Sequence, residues 1–221
     1  MIRKLIQALL IGNIWLGGMM PEKEMPSKDP AVDYLVLVNR THKLPDGWEE
    51  QIELVEAENI YGETFLLEKE TFEHFVELRQ AVLEKGLDIE LESTYRTVEE
   101  QQTIWDEWTE LLGKDYVEAY VAVPGYSEHH TGLAIDVCLD IDGQRFNMND
   151  QLLTMTEQFE IMNEELAEHG FILRFPKEKE EITGYHYEPW HIRYVGKEAA
   201  IEMDKQDLTL EEYLDEVEER D

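Results

Sequence analysis

Residues 127–136 read S-E-H-H-T-G-L-A-I-D and join a polar, histidine-containing segment to an apolar one. From Leu133 onward the large aliphatic residues alternate with small or polar ones, which is the period of a β-strand. Asp136 then falls on the strand face opposite the large aliphatic side chains, and Gly132 allows a sharp turn before the strand. The pattern predicts a strand that begins close to His129 and presents a carboxylate on its less apolar face.

A second polar segment, more than fifty residues further on, reads Glu188-Pro189-Trp190-His191. Together the two segments contain the groups of a hydrolytic zinc site: two imidazoles, a carboxylate ligand and a spare glutamate that can move a proton. In a regular strand, residues three apart face opposite ways, so Glu188 and His191 can reach one metal only if Pro189 bends the chain. If the two segments meet in space, the sequence encodes a metallopeptidase.

The composition favours one domain with terminal extensions, given 221 residues, 43% hydrophobic residues and five tryptophans. The formal net charge of -32 disfavours nucleic acid and anionic membrane surfaces as partners, because its long-range field repels both. The one cysteine, Cys138, excludes an internal disulfide and lies in an apolar run, so we expect a buried thiol.

Residues 1–20 predict a signal peptide or an uncleaved N-terminal membrane anchor, because Arg3 and Lys4 precede a mostly apolar stretch. An apolar helix packed on the domain is the alternative. A polar, proline-rich linker is expected over 21–33 and the main domain over 34–200. An acidic C-terminal helix is expected over 201–221, where Thr209 and Glu212 form a capping box.

Apolar periodicity indicates strands and helices that do not strictly alternate along the chain. Strands are expected over 34–38, 87–92, 133–139, 171–173 and 190–195, and helices over 68–85, 98–112 and 150–169. Trp105 and Trp108 repeat at helical spacing, which predicts that both lie in the core. The expected fold is α+β, a small antiparallel sheet with packed helices that carries a single zinc site.

The motifs together resemble one known family, the VanY-type zinc D-alanyl-D-alanine carboxypeptidases, which include related LD-carboxypeptidases. Residues 127–136 resemble its S-x-H-x-x-G-x-A-x-D motif, and residues 184–196 resemble its second zinc motif. Thr94-Tyr95-Arg96-Thr97, with Gln101 five residues after the arginine, is similar to the family's substrate-binding segment. The match runs in order over roughly residues 34–200. Thr94 replaces a frequent glycine and His130 a frequent glutamine, and neither change removes a chemical group.

The resemblance implies a role for each motif residue. One zinc ion per chain would be bound by His129, Asp136 and His191. Glu188 would act as general base and then general acid, taking a proton from the attacking water and passing it to the leaving amine. Arg96 would stabilise the developing oxyanion or hold a substrate carboxylate. The substrate-binding residues would be Ser93, Gln101, Tyr126 and Ser127.

The implied activity is removal of the C-terminal D-alanine from peptidoglycan stem peptides by an extracytoplasmic enzyme, either secreted or anchored at the cell wall. An LD-carboxypeptidase acting on the tetrapeptide stem is the alternative within the same chemistry. A non-catalytic, zinc-containing module that binds stem peptides is the alternative from another class, and the presence of Glu188 and Arg96 argues against it. A further alternative is an acidic exported domain whose motif residues never converge. No oligomeric state is predicted.

Overall fold

The computed structural model describes residues 32–220. The predicted signal peptide or anchor over 1–20, and all but the last two residues of the predicted linker over 21–33, lie outside this range. Within the range, none of the helices combines the length and the apolar character needed to cross a bilayer.

Seven strands and eight α-helices follow one another in the described range. The strands are Leu54–Glu58 (β1), Thr64–Glu68 (β2), Asp88–Ser93 (β3), Ala134–Ile141 (β4), Gln144–Phe146 (β5), Phe171–Leu173 (β6) and His191–Tyr194 (β7). The helices are Lys69–Glu84 (α1), Val98–Leu112 (α2), Lys114–Tyr120 (α3), Asn149–Leu152 (α4), Thr156–Leu166 (α5), Glu180–Thr183 (α6), Lys197–Gln206 (α7) and Leu210–Arg220 (α8).

The main sheet is antiparallel throughout, with strand order β3-β4-β7-β6 and β5 paired to β4. Strands β1 and β2 form a separate hairpin. One face of the main sheet packs against α1 and α5, and Ile135, Val137 and Leu139 of β4 enter this core. Asp136 points to the other face because successive strand residues alternate. The predicted α+β fold and the predicted position of Asp136 are both confirmed.

The predicted strand over 34–38 is wrong, although Val36 and Val38 are buried. The carbonyl oxygens of Tyr34 and Val36 accept hydrogen bonds from Arg193 Nη2 at 3.0 and 2.8 Å. A guanidinium group therefore occupies the acceptors that a neighbouring strand would otherwise use, and the segment stays irregular.

Two predicted helices are each divided in the structure. The helix expected over 150–169 is interrupted between α4 and α5, where the Thr154 hydroxyl donates to Gln151 O at 2.7 Å and competes with helical bonding. The acidic helix expected over 201–221 is α7 followed by α8. Asp207 adopts a left-handed conformation after α7, and Thr209 caps α8 through the predicted capping box with Glu212.

Candidate metal centre

Strand pairing places three of the predicted site residues in one row across the sheet. Asp136 of β4 pairs with Ser93 of β3 on one side and with His191 of β7 on the other. Directly paired residues of an antiparallel sheet point to the same face. The row therefore lies on the sheet face opposite the α1 and α5 core.

His129 reaches this row from a short 3-10 helix, Glu128–Thr131, which precedes β4. The Ser127 side chain accepts from His129 N at 3.4 Å at the start of the helix, and Gly132 ends it with a φ of 73°. A Cβ atom on Gly132 would lie 3.2 Å from Glu68 N, so the turn requires a glycine. The chain is thereby turned so that the imidazole of His129 lies over Asp136.

The three side chains form a compact donor set. His129 Nε2 lies 3.2 Å from Asp136 Oδ2, His191 Nδ1 lies 2.8 Å from Asp136 Oδ1, and all of the donor atoms lie within 4.8 Å of one another. Zinc binds imidazole nitrogen and carboxylate oxygen at about 2.0–2.2 Å, so donors around one ion are separated by distances of this order. Two imidazoles and one carboxylate fit a catalytic zinc, which keeps one further position open.

The outer nitrogen of each imidazole is fixed by the protein. His129 Nδ1 donates to the carbonyl oxygen of Thr94 at 2.7 Å, and His191 Nε2 lies 3.5 Å from Glu128 Oε2. A proton on the outer nitrogen leaves the inner lone pair facing Asp136, as a metal requires. Burial, with Arg96 acting in the same direction, lowers the pKa of His129. Burial also opposes the charged form of His191, but hydrogen bonds to Asp136 and Glu128 raise its pKa to about 9.

Glu188 lies beside this donor set. His191 N donates to Glu188 O at 3.2 Å, which closes a turn through Pro189, so the condition that Pro189 bends the chain is met. Glu188 Oε2 consequently lies 4.0 Å from His191 Nδ1, and 24% of the side chain remains exposed to the cleft. Burial raises the pKa of Glu188 to about 7, with His191 opposing and Asp136 reinforcing the shift. A carboxyl group with such a pKa is suited to accept and return a proton near neutrality.

Arg96 faces the same cleft with a fixed guanidinium group. Its Nη1 donates to Gln101 Oε1 at 2.7 Å and its Nη2 donates to Ser93 Oγ at 3.1 Å. Gln101 is itself held by a bond from its Nε2 to Ala122 O at 2.8 Å. Ser93 and Gln101, which were predicted to bind substrate, therefore orient Arg96. Each terminal nitrogen of Arg96 has a second hydrogen that can reach an anion.

His130 holds the backbone of Arg96 through a hydrogen bond. Its Nε2 accepts from Gly125 N at 3.1 Å, so Nδ1 carries the proton and donates to Arg96 O at 2.6 Å. Both ring nitrogens are thus used within the protein, so His130 has a structural role.

The cleft above the donor set has a volume of about 620 Å³. Tyr126 and Ser127 line it together with Arg96 and Glu188. The lining also includes a group of apolar and aromatic side chains, called the apolar wall below: Ile104, Trp108, Tyr116 and Leu153.

The prediction that Trp105 and Trp108 lie in the core is wrong. Trp105 is half-buried, and Trp108 is 39% exposed and stacks on Tyr116 at a centroid distance of 6.4 Å. Within α2, all of which the structure describes, the one fully buried side chain is Gln101. The apolar stripe of α2 therefore borders the cleft.

Glu128 is a buried residue that the sequence did not single out. Its Oε1 accepts from Arg174 Nε at 2.7 Å and from Arg193 Nη1 at 2.8 Å. Arg174 and Arg193 follow or interrupt apolar strands, where arginine is rare unless it is paired. This anomaly was the available signal for a buried carboxylate partner.

Residues 64–197 match the model of the family described as VanY, D-alanyl-D-alanine carboxypeptidase. The chain belongs to the VanY family. It is accordingly a metallocarboxypeptidase. Among the relatives in the VanY family, the bifunctional D-Ala-D-Ala dipeptidase and D-Ala-D-Ala carboxypeptidase VanXYC of Enterococcus gallinarum is 38% identical over 186 residues. The alignment covers 82% of this chain and 93% of that relative.

Solved structures agree with the VanY family assignment. The LdcB LD-carboxypeptidase has a TM-score of 0.72 at 35% identity, over 82% of this chain and 86% of that one. A mutant of the vancomycin resistance D,D-pentapeptidase VanY, in complex with Zn(II), has a TM-score of 0.67 at 35% identity, over 82% and 98% of the two chains. A VanY relative thus holds zinc, and this chain has a His/Asp/His group that could do so.

Proposed function

We propose that this chain is a zinc-dependent D-alanyl-D-alanine carboxypeptidase that removes the C-terminal D-alanine from peptidoglycan stem peptides. The observation that carries the proposal is the shared cleft, in which Glu188 and Arg96 face the donor set of His129, Asp136 and His191. Two relatives support it: VanXYC is a D-Ala-D-Ala dipeptidase and carboxypeptidase, and the VanY relative forms a complex with zinc.

The three donors would hold one zinc ion, and each residue then has a distinct task. When bound, zinc would supply Lewis acidity toward the scissile carbonyl group and the attacking water. The Glu188 carboxylate accepts the proton of that water and returns it to the amine nitrogen of the departing D-alanine. The outer hydrogen bonds of His129 and His191 keep both rings in place while the proton moves.

In this proposal the enzyme is a carboxypeptidase because Arg96 can bind the free carboxylate at the end of the substrate. Its guanidinium group is held by Ser93 and Gln101, so its remaining hydrogens can pair with a terminal carboxylate or with the developing oxyanion. Tyr126 and Ser127 line the same cleft and would contact the terminal residue. An endopeptidase would have no free carboxylate to offer this arginine.

The LD-carboxypeptidase alternative is favoured by one specific observation, the TM-score of 0.72 with LdcB. A D-Ala-D-Ala bond and an L-to-D bond use the same metal and the same carboxylate site. The two activities differ in the subsite that receives the residue before the scissile bond. The apolar wall around Trp108 borders the cleft and is a candidate for that subsite.

The proposed location is extracytoplasmic, where stem peptides are accessible. The basic and apolar pattern of residues 1–20 supports export, and LdcB, to which this chain is similar, recognises peptidoglycan. A non-catalytic binding module would retain the donor set without needing Glu188 or Arg96, so both residues favour the enzyme.

Mass spectrometry of synthetic stem pentapeptide and tetrapeptide, incubated with zinc-loaded protein, tests the proposal. Loss of one alanine from the pentapeptide alone would establish the D-Ala-D-Ala activity. Loss from the tetrapeptide would assign the LD activity. No cleavage of either peptide by protein that binds zinc would support the binding module.

Two variants belong in the same experiment. Glu188→Gln removes the proposed proton carrier and should slow the cut by about 10²–10⁴-fold. Glu181→Gln, at an exposed position of α6 on the same connection, removes the same charge and should leave the cut unchanged.

A further inference from the structure

A chain of hydrogen bonds connects the candidate zinc ligand His191 to the C-terminal helix α8. His191 Nε2 faces Glu128 Oε2 at 3.5 Å, and Glu128 Oε1 accepts from Arg174 Nε at 2.7 Å. The other side of the Arg174 guanidinium group donates twice to Glu211 of α8, at 2.9 and 2.7 Å. This bidentate pair is the geometry that fixes a guanidinium group most firmly.

This series of hydrogen-bonded side chains is buried, and the charges of its carboxylates and guanidinium groups balance. The Arg174 side chain is 0% exposed, and the side chain of Glu211 is 13% exposed. Two carboxylates, Glu128 and Glu211, face two guanidinium groups, Arg174 and Arg193. Because buried charges are weakly screened, neutralising one carboxylate leaves an excess positive charge that acts on its neighbours. Glu128 connects this network to His191, and the excess positive charge would oppose the binding of a cation there.

Arg174 also contacts His191 through the backbone and through an aromatic ring. Arg174 N donates to His191 O at 3.2 Å. The ring of Phe175 lies 4.8 Å from the ring of His191, and the Arg174 guanidinium carbon lies 5.1 Å from the centre of the Phe175 ring. A displacement of Arg174 would therefore reach the His191 imidazole along three routes.

Helix α8 is firmly placed at the point where it supplies Glu211. Leu210 and Tyr213 are buried against Met203 of α7 in a separate apolar cluster. Asn39 Nδ2 donates to Glu211 Oε1 at 3.0 Å, and Lys179 Nζ contacts the next residue, Glu212, at 3.1 Å. All of α8 lies beyond residues 64–197, the part of the chain that matches the family model.

We propose that Glu211 is a positioning residue for the zinc site, acting through Arg174 and Glu128 on the imidazole of His191. The C-terminal helix then influences zinc affinity from outside residues 64–197, the part that matches the family model. The inference rests on the proposed function in one respect, that His191 is a zinc ligand.

The test measures zinc affinity directly, by competition with a chromophoric chelator on the full chain. Glu211→Gln keeps the side-chain volume but removes the charge and replaces one of the two acceptors with a donor. The zinc dissociation constant should rise about tenfold, the lower end of the range for residues that orient metal ligands. The matched control is Glu218→Gln, an exposed position on the same helix, which should bind zinc as the wild type does.

Two further variants separate positioning from a general loss of charge. Arg174→Lys retains the positive charge but cannot form the bidentate pair, and it should also weaken zinc binding about tenfold or more. In a double-mutant cycle, Glu128→Gln and Glu211→Gln should lose less affinity together than the product of their separate losses, because both interrupt one path.

The outcomes distinguish this inference from the proposed function. If the wild type fails to bind zinc, the proposed function is wrong. If the wild type binds zinc and cleaves stem peptide while Glu211→Gln binds zinc equally well, only the role of Glu211 is overturned. Loss of the folded state in both Glu211→Gln and Arg174→Lys, read by circular dichroism, would also overturn it, because α8 would then support the fold alone.

Discussion

Replacing Glu188 with glutamine is the most direct test of how the cleft works. The change preserves size and removes the ability to accept a proton. Glu188 Oε2 lies 4.0 Å from His191 Nδ1, so the carboxylate is next to the donor set, where a general base must be within hydrogen-bonding reach of the attacking water. Proton transfer by a positioned group contributes about 10²–10⁴-fold, which corresponds to about 3–5 kcal/mol of barrier. We expect kcat to fall by that factor.

Glu188→Asp tests how strongly kcat depends on the position of the carboxylate. The carboxylate keeps its charge but withdraws by one methylene from the donor set. A misplacement of about 1 Å costs about 100-fold, so the aspartate variant should retain more activity than the glutamine variant. KM should change by less than about threefold in both, because the interaction is made in the transition state.

The assay is release of D-alanine from stem peptide at saturating zinc, with the metal content of each variant measured beside its rate. A glutamine variant that retains more than a tenth of kcat would refute the assignment of Glu188 as proton carrier. A raised KM with unchanged kcat would instead identify Glu188 as a substrate-binding residue.

Other predictions follow from packing. Trp108→Ala should lower the free energy of unfolding, measured in urea, by less than about 1.5 kcal/mol, since the side chain is 39% exposed and its main ring contact is Tyr116. Loss of a core tryptophan would cost about 3–5 kcal/mol, and a loss of that size would contradict the prediction. Gly170→Ala should cost about 2–5 kcal/mol, because φ is +80° and a Cβ atom would lie 2.6 Å from Tyr194 Cε2. Gly143→Ala, with the same φ and open space, is its control and should cost only about 1–2 kcal/mol; equal losses would contradict the clash. Burial raises the pKa of the Cys138 thiol to about 12, so the native protein should show no thiol reactive toward a disulfide reagent at pH 8, and the unfolded protein should show one; labelling of the native protein would contradict this.

Features set by local periodicity were predictable from the sequence. The helix expected over 68–85 is observed as Lys69–Glu84, because apolar residues repeat at helical spacing and Gly86 stops the helix. The alternation after Gly132 correctly placed Asp136 on the face away from the core. The convergence of Asp136 and His191 came from motif resemblance, since strand pairing between residues 55 positions apart has no local signature.

Features set by long-range charge were not predictable in the same way. Arg193 occupies the carbonyl oxygens of residues 34–36, and its preference for them over an exposed position depends on the burial of the whole β7 strand. The link between Glu128 and α8 also joins segments that are far apart in sequence. The exposure of Trp108 was missed for a simpler reason, since periodicity identifies the apolar side of a helix but does not reveal whether that side meets a core or a cleft.

The row formed by Ser93, Asp136 and His191 has a consequence for how the protein reaches its active form. A slip of one residue between β4 and β7 would turn Asp136 or His191 to the opposite face and bring core side chains out with it. A misaligned sheet would therefore lose the donor set and the packed core together, and a bound metal would stabilise only the correct alignment. Recovery of activity after refolding thus counts molecules whose strands are aligned, and compact but mispaired molecules do not contribute to it.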